Sequence, residues 1–256
     1  MNQFLNNDIY NDFAYVYAKQ DKYHLYSKRL SETIIEIMKE QDFLPRTVVD
    51  LACGVGIAAE IFSKSGHEVI GIDRSDKMLS YAKQRSSESN LGIRFYRQEM
   101  ENLLLDQGVD LITCMYDSLN YITDESTFYQ TMDNVISNLN DSGWFVFDLA
   151  TPLALSDTWV GVDILRNNKD FLEIHNASYD KNEGVNIKNI SFYIQDNGSF
   201  RHLFETHFEK AHSPDDVEIY LKSKDMEIFN IFSSPDRGQV CTDSDRLIYF
   251  TRKRSK

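Results

Sequence analysis

Asp50, Gly54, Gly56 and Asp73 are spaced like the polar and small groups of a site for a nucleoside. The stretch Val48-Val49-Asp50-Leu51-Ala52-Cys53-Gly54-Val55-Gly56 reads as an apolar strand ending in an acid, then a small-residue turn, then the start of a helix. Gly54 and Gly56 remove side chains where backbone must pass close to a ligand, and a helix start offers unpaired N–H groups. A second apolar run, Val69-Ile70-Gly71-Ile72, delivers Asp73 beside that turn. A carboxylate at such a strand tip can accept two hydrogen bonds from a ribose diol. These residues predict a nucleoside-containing cofactor.

The elements that position them follow an α/β rhythm. Strands are expected at 47–52, 68–73, near 93–97, at 110–115 and from Trp144 to Leu149, alternating with helices that begin near 57, after Ser75 and around Phe128. Ser75 is placed as a helix cap, with Asp76 in the first turn. Such alternation is the signature of a parallel sheet covered by helices. After Pro152 the pattern changes to period two: Ile190, Phe192 and Ile194 alternate with polar residues, and Asn197-Gly198 is a strong hairpin signal. Residues 160–210 therefore read as an antiparallel meander. Ser213-Pro214-Asp215-Asp216 opens a final helix, and strands near 226–232 and 246–252 close the chain. The expectation is one domain over 1–256. It divides into an aromatic and helical lid over 1–45, a cofactor-binding core over 46–150, a cap insertion over 151–212, and a closing helix with the last strands over 213–256.

Composition narrows the partners. The 256 residues carry a net charge of −13, which would repel a polyanion, so nucleic acid is not expected. A neutral or cationic small molecule is easier to accommodate. No apolar run is long enough to span a bilayer, and Met1-Asn2-Gln3-Phe4 lacks the features of a secretion signal. Three cysteines without a C-x-x-C spacing fit a reducing cytoplasm. His202 and His207 lie five apart on a strand and point oppositely, so no metal site is expected. His24, His67, His175 and His212 are read as superficial.

Gly54-Val55-Gly56-Ile57-Ala58-Ala59 also satisfies a dinucleotide pattern. Three features tilt the choice away from it. Asp50 stands where dinucleotide sites keep an apolar or small residue, Gln98-Glu99-Met100 ends the third strand with a carboxylate that could meet an adenine amino group, and no second βαβαβ half follows. With Asp-Leu-Ala-Cys-Gly-Val-Gly, the segment Gly71 to Leu79 and the Gln-Glu-Met triplet, the chain resembles class I S-adenosylmethionine-dependent methyltransferases over essentially its whole length. The resemblance implies a Rossmann-like seven-stranded sheet. It also implies that Asp50 and the turn Ala52, Cys53, Gly54 and Gly56 lie against the methionine part and ribose, with Asp73 on the ribose hydroxyls. Glu99 and Met100 would read adenine, with Arg74, Met78 and Met115 nearby. Phe13-Ala14-Tyr15-Val16-Tyr17 resembles the family's entry segment, in which a tyrosine folds over the cofactor; Tyr17 and Tyr23 are the candidates, and Ala18 replaces the usual acid.

Transfer from a sulfonium is an in-line displacement, so alignment dominates and is worth roughly 7–11 kcal/mol. An amine acceptor with a pKa of about 10.4 is neutral in only about one molecule per thousand at pH 7, a deficit of about 4 kcal/mol. A proton acceptor or a desolvating pocket recovers part of it. Cys114 to Tyr121 follows the carboxyl end of a parallel strand, where ligands bind in open α/β sheets. It lacks the tetrapeptide with which base-modifying amino methyltransferases hold a flipped base. It resembles instead the small-molecule N-methyltransferases, including amino-sugar N,N-dimethyltransferases and glycine-methylating relatives. Asp117, Tyr121 and His207 are the candidate catalytic groups, and Tyr116, Asn120, Trp159, Arg201 and Glu205 the candidate substrate contacts. Arg201, Glu205 and His207 form one polar row on the hairpin, with solvent as the default direction. The expected activity is methylation of an amine on a small metabolite, cationic or neutral, by a monomer or homodimer. Methylation of a hydroxyl, cofactor binding without catalysis, and nicotinamide chemistry stay open as alternatives.

Overall fold

The computed structural model describes residues 4, 6, 9, 10, 13–19, 21–167, 171–196 and 198–255. Two helices open the chain, α1 (Phe13–Lys19) and α2 (Asp21–Glu40). Five parallel strands follow: β1 (Thr47–Leu51), β2 (Glu68–Asp73), β3 (Arg94–Arg97), β4 (Val109–Cys114) and β5 (Leu139–Ala150). They are linked by α3 (Ile57–Lys64), α4 (Asp76–Glu88) and α5 (Glu125–Asn138). With α6 (Pro214–Ser223), β10 (Met226–Phe232) and β11 (Arg246–Lys253), they complete a seven-stranded mixed sheet in the order β10-β11-β5-β4-β1-β2-β3. Among the described residues β11 alone runs against the other six, antiparallel to both β10 and β5.

The sheet is buried on both faces, as parallel strands must be. Alternate residues of each strand enter opposite layers. Val49, Ile112, Phe145 and Tyr249 pack with α5 and α6, whereas Val48, Leu111, Val146 and Ile248 pack with α2 and α3. The caps expected from sequence are in place: the Ser75 hydroxyl accepts from the Met78 N–H, and the Ser213 hydroxyl from Asp216. Strand order reverses between β1 and β4, and the carboxyl ends of these strands and β2 meet there. That crevice is where open α/β sheets bind ligands.

Between β5 and α6 lies a separate four-stranded antiparallel sheet of β6 (Gly161–Asn167), β7 (Phe171–Asp180), β8 (Val185–Asp196) and β9 (Ser199–Lys210). The turn expected over Asp180 to Gly184 forms as an Asx turn, with Asp180 Oδ1 accepting from Asn182 and Glu183 and Gly184 at φ 66°. Asn197, half of the predicted hairpin turn, lies outside the described residues; Gly198 is at φ 85°. One face of this sheet packs on the N-terminal segment. Ile190, Phe192 and Ile194 bury against Phe13, Val16 and Tyr23. Among the described residues no helix is long and apolar enough to cross a membrane.

Candidate active site

At the switch point lies a pocket with about 920 Å³ of empty space, open solvent at its mouth included. Its floor is the β1–α3 turn. Ala52, Gly54 and Gly56 all take left-handed conformations, at φ 57°, 53° and 80°, which bends the chain through the narrow connection without covering it. A Cβ on Gly54 would sit 3.8 Å from the Tyr17 ring and one on Gly56 3.0 Å from Ala82 Cβ. Asp73 ends β2 at the pocket wall. Its Oδ2 accepts from the Gly54 N–H and its Oδ1 from the Ser75 N–H, both at 2.8 Å. Each carboxylate oxygen has a second lone pair, so the group retains the capacity to accept two hydroxyls. Asp50 lies deeper, with Oδ2 accepting from the Ala59 N–H at 3.1 Å and Oδ1 from the Thr113 hydroxyl at 3.2 Å. Burial raises the pKa of both carboxyls, that of Asp50 to about 7.

Four tyrosines wall the opposite end: Tyr10, Tyr17, Tyr116 and Tyr121. Two successive left-handed residues, Tyr116 at φ 66° and Asp117 at φ 52°, turn the chain sharply as it leaves β4. Such conformations cost on the order of 1–3 kcal/mol each, and here they direct Tyr116 into the pocket while Asp117 turns behind it. Behind Tyr116 is a buried charge cluster. Arg246 lies against the rings of Tyr26, Tyr116 and Trp159, with its guanidinium carbon 4.9–5.4 Å from their centroids. It pairs with Asp148 at 2.7 Å and Asp117 at 3.3 Å. Lys188 pairs with buried Glu209 at 2.7 Å and sits over Trp159. Burial drives the Asp117 carboxyl above the ordinary range, although Arg246 opposes the rise. Glu205 holds the N-terminal segment, accepting from the N–H groups of Tyr10 and Phe13 at 2.9 and 3.1 Å.

Comparison with known proteins decides what this crevice belongs to. Residues 48–143 match a family described as "Methyltransferase domain". A crystal structure of an S-adenosylmethionine-dependent methyltransferase from Clostridium acetobutylicum superposes with a TM-score of 0.85 at 27% identity, covering 97% of this chain and 100% of that one. The chain is an S-adenosylmethionine-dependent methyltransferase. Over 249 residues the methyltransferase is 25% identical to a Bacillus subtilis protein named "Putative methyltransferase YqeM", covering 96% of this chain and 97% of that one. It is also 23% identical over 209 residues to the dTDP-3-amino-3,4,6-trideoxy-alpha-D-glucopyranose N,N-dimethyltransferase of Streptomyces venezuelae, covering 78% and 81% of the two chains.

The structure of the methyltransferase brings most of the predicted donor-side residues to one place. Tyr17, Asp50, Ala52, Cys53, Gly54, Asp73, Arg74, Met78, Met100 and Met115 line the pocket. Three others do not. Gly56 packs α3 against α4, Glu99 turns to an ion pair with Arg74 at 3.6 Å, and Tyr23 stacks behind Tyr17 at 4.7 Å while its hydroxyl donates to Glu173 at 2.5 Å. At the other end Tyr116 and Tyr121 line the cavity, whereas Asp117, Trp159 and His207 lie behind it. Asp117 is taken by Arg246. Asn120 is locked to backbone, donating to Ala150 and Lys210 carbonyls and accepting from the Ala150 N–H. Glu205 and His207 are buried rather than facing water, and Arg201, near the hairpin tip, is exposed. His212 is likewise buried, stacked on Phe128 at 3.8 Å. Sequence reading passed over Ser27, Gln98 as a lining group, Tyr10 at the covered end, and the ions Arg246, Lys188 and Glu209. Only Tyr10 and Gln98 had a signal, the first as one of the N-terminal aromatics and the second as part of the Gln-Glu-Met triplet.

Proposed function

We propose that this methyltransferase transfers the methyl group to the amine nitrogen of a small, cationic metabolite, working in the cytoplasm with the smaller sheet as a cap and the N-terminal segment as a lid. The observation that carries the reading is the tyrosine wall. Aromatic faces attract cations, and four rings at the covered end suit both an ammonium acceptor and a sulfonium donor. The charge cluster behind Tyr116 agrees in sign: Asp148 and Glu209 match Arg246 and Lys188, and Asp117, with its pKa raised to about 7, adds a partial negative charge. The Streptomyces venezuelae relative, by name an N,N-dimethyltransferase of an amino sugar, supports the same choice.

The pocket fits the donor. Asp73 keeps free acceptor capacity for a ribose diol, the Gly54 side of the turn is open, and Gln98 and Met100 stand at the far edge for adenine. When bound, S-adenosylmethionine supplies an electrophilic methyl carbon. The residues of the chain align the acceptor with it, shut out water and remove a proton. Alignment in a closed pocket is the larger contribution, as in other bimolecular displacements. The test is incubation of the pure protein with methyl-labelled donor and panels of primary and secondary amines, phenols and alcohols. Label is expected on nitrogen; exclusive transfer to oxygen would overturn the reading in favour of a hydroxyl acceptor.

A further inference from the structure

A second row of polar groups stands behind the tyrosine wall. The Tyr10 hydroxyl donates to the Tyr121 oxygen at 2.8 Å. The Tyr121 hydroxyl is 3.0 Å from His207 Nδ1, and His207 Nε2 is 2.9 Å from Glu205 Oε2. An ionised carboxylate only accepts, so the network assigns the ring proton to Nε2 and leaves the Nδ1 lone pair for the Tyr121 hydroxyl. Every donor in the row then points the same way, from the cavity towards Glu205.

We infer that Tyr10, Tyr121, His207 and Glu205 form a proton relay that drains the acceptor's proton out of the cavity, and that Glu205 is both its terminus and the latch of the N-terminal segment. The inference rests on the nitrogen-acceptor reading for the identity of the proton. An ammonium proton passes to the Tyr10 oxygen, the Tyr10 proton to Tyr121 and the Tyr121 proton to His207 Nδ1, leaving an imidazolium beside the Glu205 carboxylate. The freed nitrogen lone pair forms the new N–C bond, and the C–S bond breaks with its electron pair going to sulfur.

The surroundings suit this use. Burial holds His207 below its ordinary pKa even with Glu205 against it, so the ring stands neutral and ready to accept. The charged groups facing it are Glu205 and Glu209 on its own strand and Lys188 on β8, directly opposite. Burial pushes the Glu205 carboxyl up, but the hydrogen bonds from His207 and from the Tyr10 and Phe13 amides outweigh it, and the carboxyl stays ionised. A latch alone needs nothing beyond Glu205 and the two amides. His207 and Tyr121 extend it to the cavity, and Tyr10 belongs to the latched segment itself. The relay is therefore complete only while the segment is down. Release of the segment uncovers His207 and returns the proton to water.

Tyr10 and Tyr121 touch the cavity; His207 and Glu205 act through them as positioning residues. Two measurements test the relay. Side-chain nitrogen NMR of ¹⁵N-labelled protein with S-adenosylhomocysteine added, assigned through His207→Gln, should show His207 at neutral pH as the uncharged Nε2–H tautomer. An Nδ1–H tautomer or an imidazolium there overturns the relay, whether or not an acceptor has been found. With an amine acceptor from the panel, Tyr121→Phe should lower kcat by about tenfold or more, a modest share of what proton transfer contributes, and move the rise of rate with pH to higher pH. The double variant with His207→Gln should lose no more than the single, since one wire is cut twice. Nitrogen methylation at the wild-type rate and pH profile in Tyr121→Phe overturns the relay alone. Label found only on oxygen overturns the nitrogen reading and leaves the NMR result to decide the relay.

Discussion

The two ends of the pocket are built in opposite ways. The proposed donor end is local: Asp50, Gly54 and Asp73 fall within 24 consecutive residues, joined by one turn and two adjacent strands. The tyrosine end draws Tyr10, Tyr116, Tyr121, Glu205, His207 and Arg246 from four elements or segments spread over nearly the whole chain. Local construction ties function to backbone conformation, so a few residues suffice. Long-range construction ties it to buried charge and hydrogen-bond partners, so every member leans on several others.

The largest effect should come from breaking the long-range end. Arg246→Met leaves Asp117 and Asp148 buried without their cation, which typically costs about 3–5 kcal/mol, read by urea unfolding. Asp117 would rise further above the ordinary carboxylate range. A raised acid takes up protons on folding, so its penalty is absent below the ordinary range and is fully felt above the folded pKa. Wild type shares this penalty up to its own Asp117 pKa of about 7, so the variant should lose ground to wild type only as pH rises beyond that value. A loss independent of pH would break the argument.

At the donor end, Asp73→Ala removes the acceptor of two turn amides and the proposed partner of the ribose. With charge-assisted hydrogen bonds worth about 1.5–3 kcal/mol each, donor affinity should fall by about a hundredfold in calorimetry. An unchanged affinity with intact circular dichroism would remove the basis of the donor-site assignment. Gly56→Ala is a smaller perturbation: a left-handed alanine whose Cβ meets Ala82 at 3.0 Å. About 1–2 kcal/mol of stability should go, with donor affinity reduced less than in Asp73→Ala because Gly56 stands off the pocket. Arg201→Ala, at the exposed hairpin tip, should change stability by no more than about 0.5 kcal/mol and leave donor affinity as it is.

The same contrast explains what the sequence revealed. Strand and helix periodicity, the small-residue turn and Asp73 are short-range signals, and they led to the sheet and the donor end. Glu99, read as a lone carboxylate at a strand end, has Arg74 beside it at 3.6 Å. Asp117 was likewise read without Arg246, which arrives from the last strand and pairs with it at 3.3 Å. For Glu205 and His207 the information was present but unused. The pairing of Asp196 with Ser199 sets Ile190 opposite Glu205 and Lys188 opposite His207. Directly paired residues share a face, and Ile190 and Phe192 mark that face as the buried one. Arg201 shares it too, opposite Ile194, but lies beyond the edge of the packed layer. Asn120 gave no warning, because an amide that ties three backbone groups together looks like any other asparagine until the chain is folded.

Asp50 carries one more implication. Its carboxyl, with a pKa raised to about 7, is only partly ionised at neutrality while the crevice holds no cation. Arrival of a sulfonium favours the ionised form, so uptake of the donor should release a fraction of a proton, and the uncharged thioether product should allow its recapture. Binding heats measured in two buffers of unlike ionisation enthalpy would then differ for S-adenosylmethionine and agree more closely for S-adenosylhomocysteine, making acidity a means of exchanging spent cofactor for fresh.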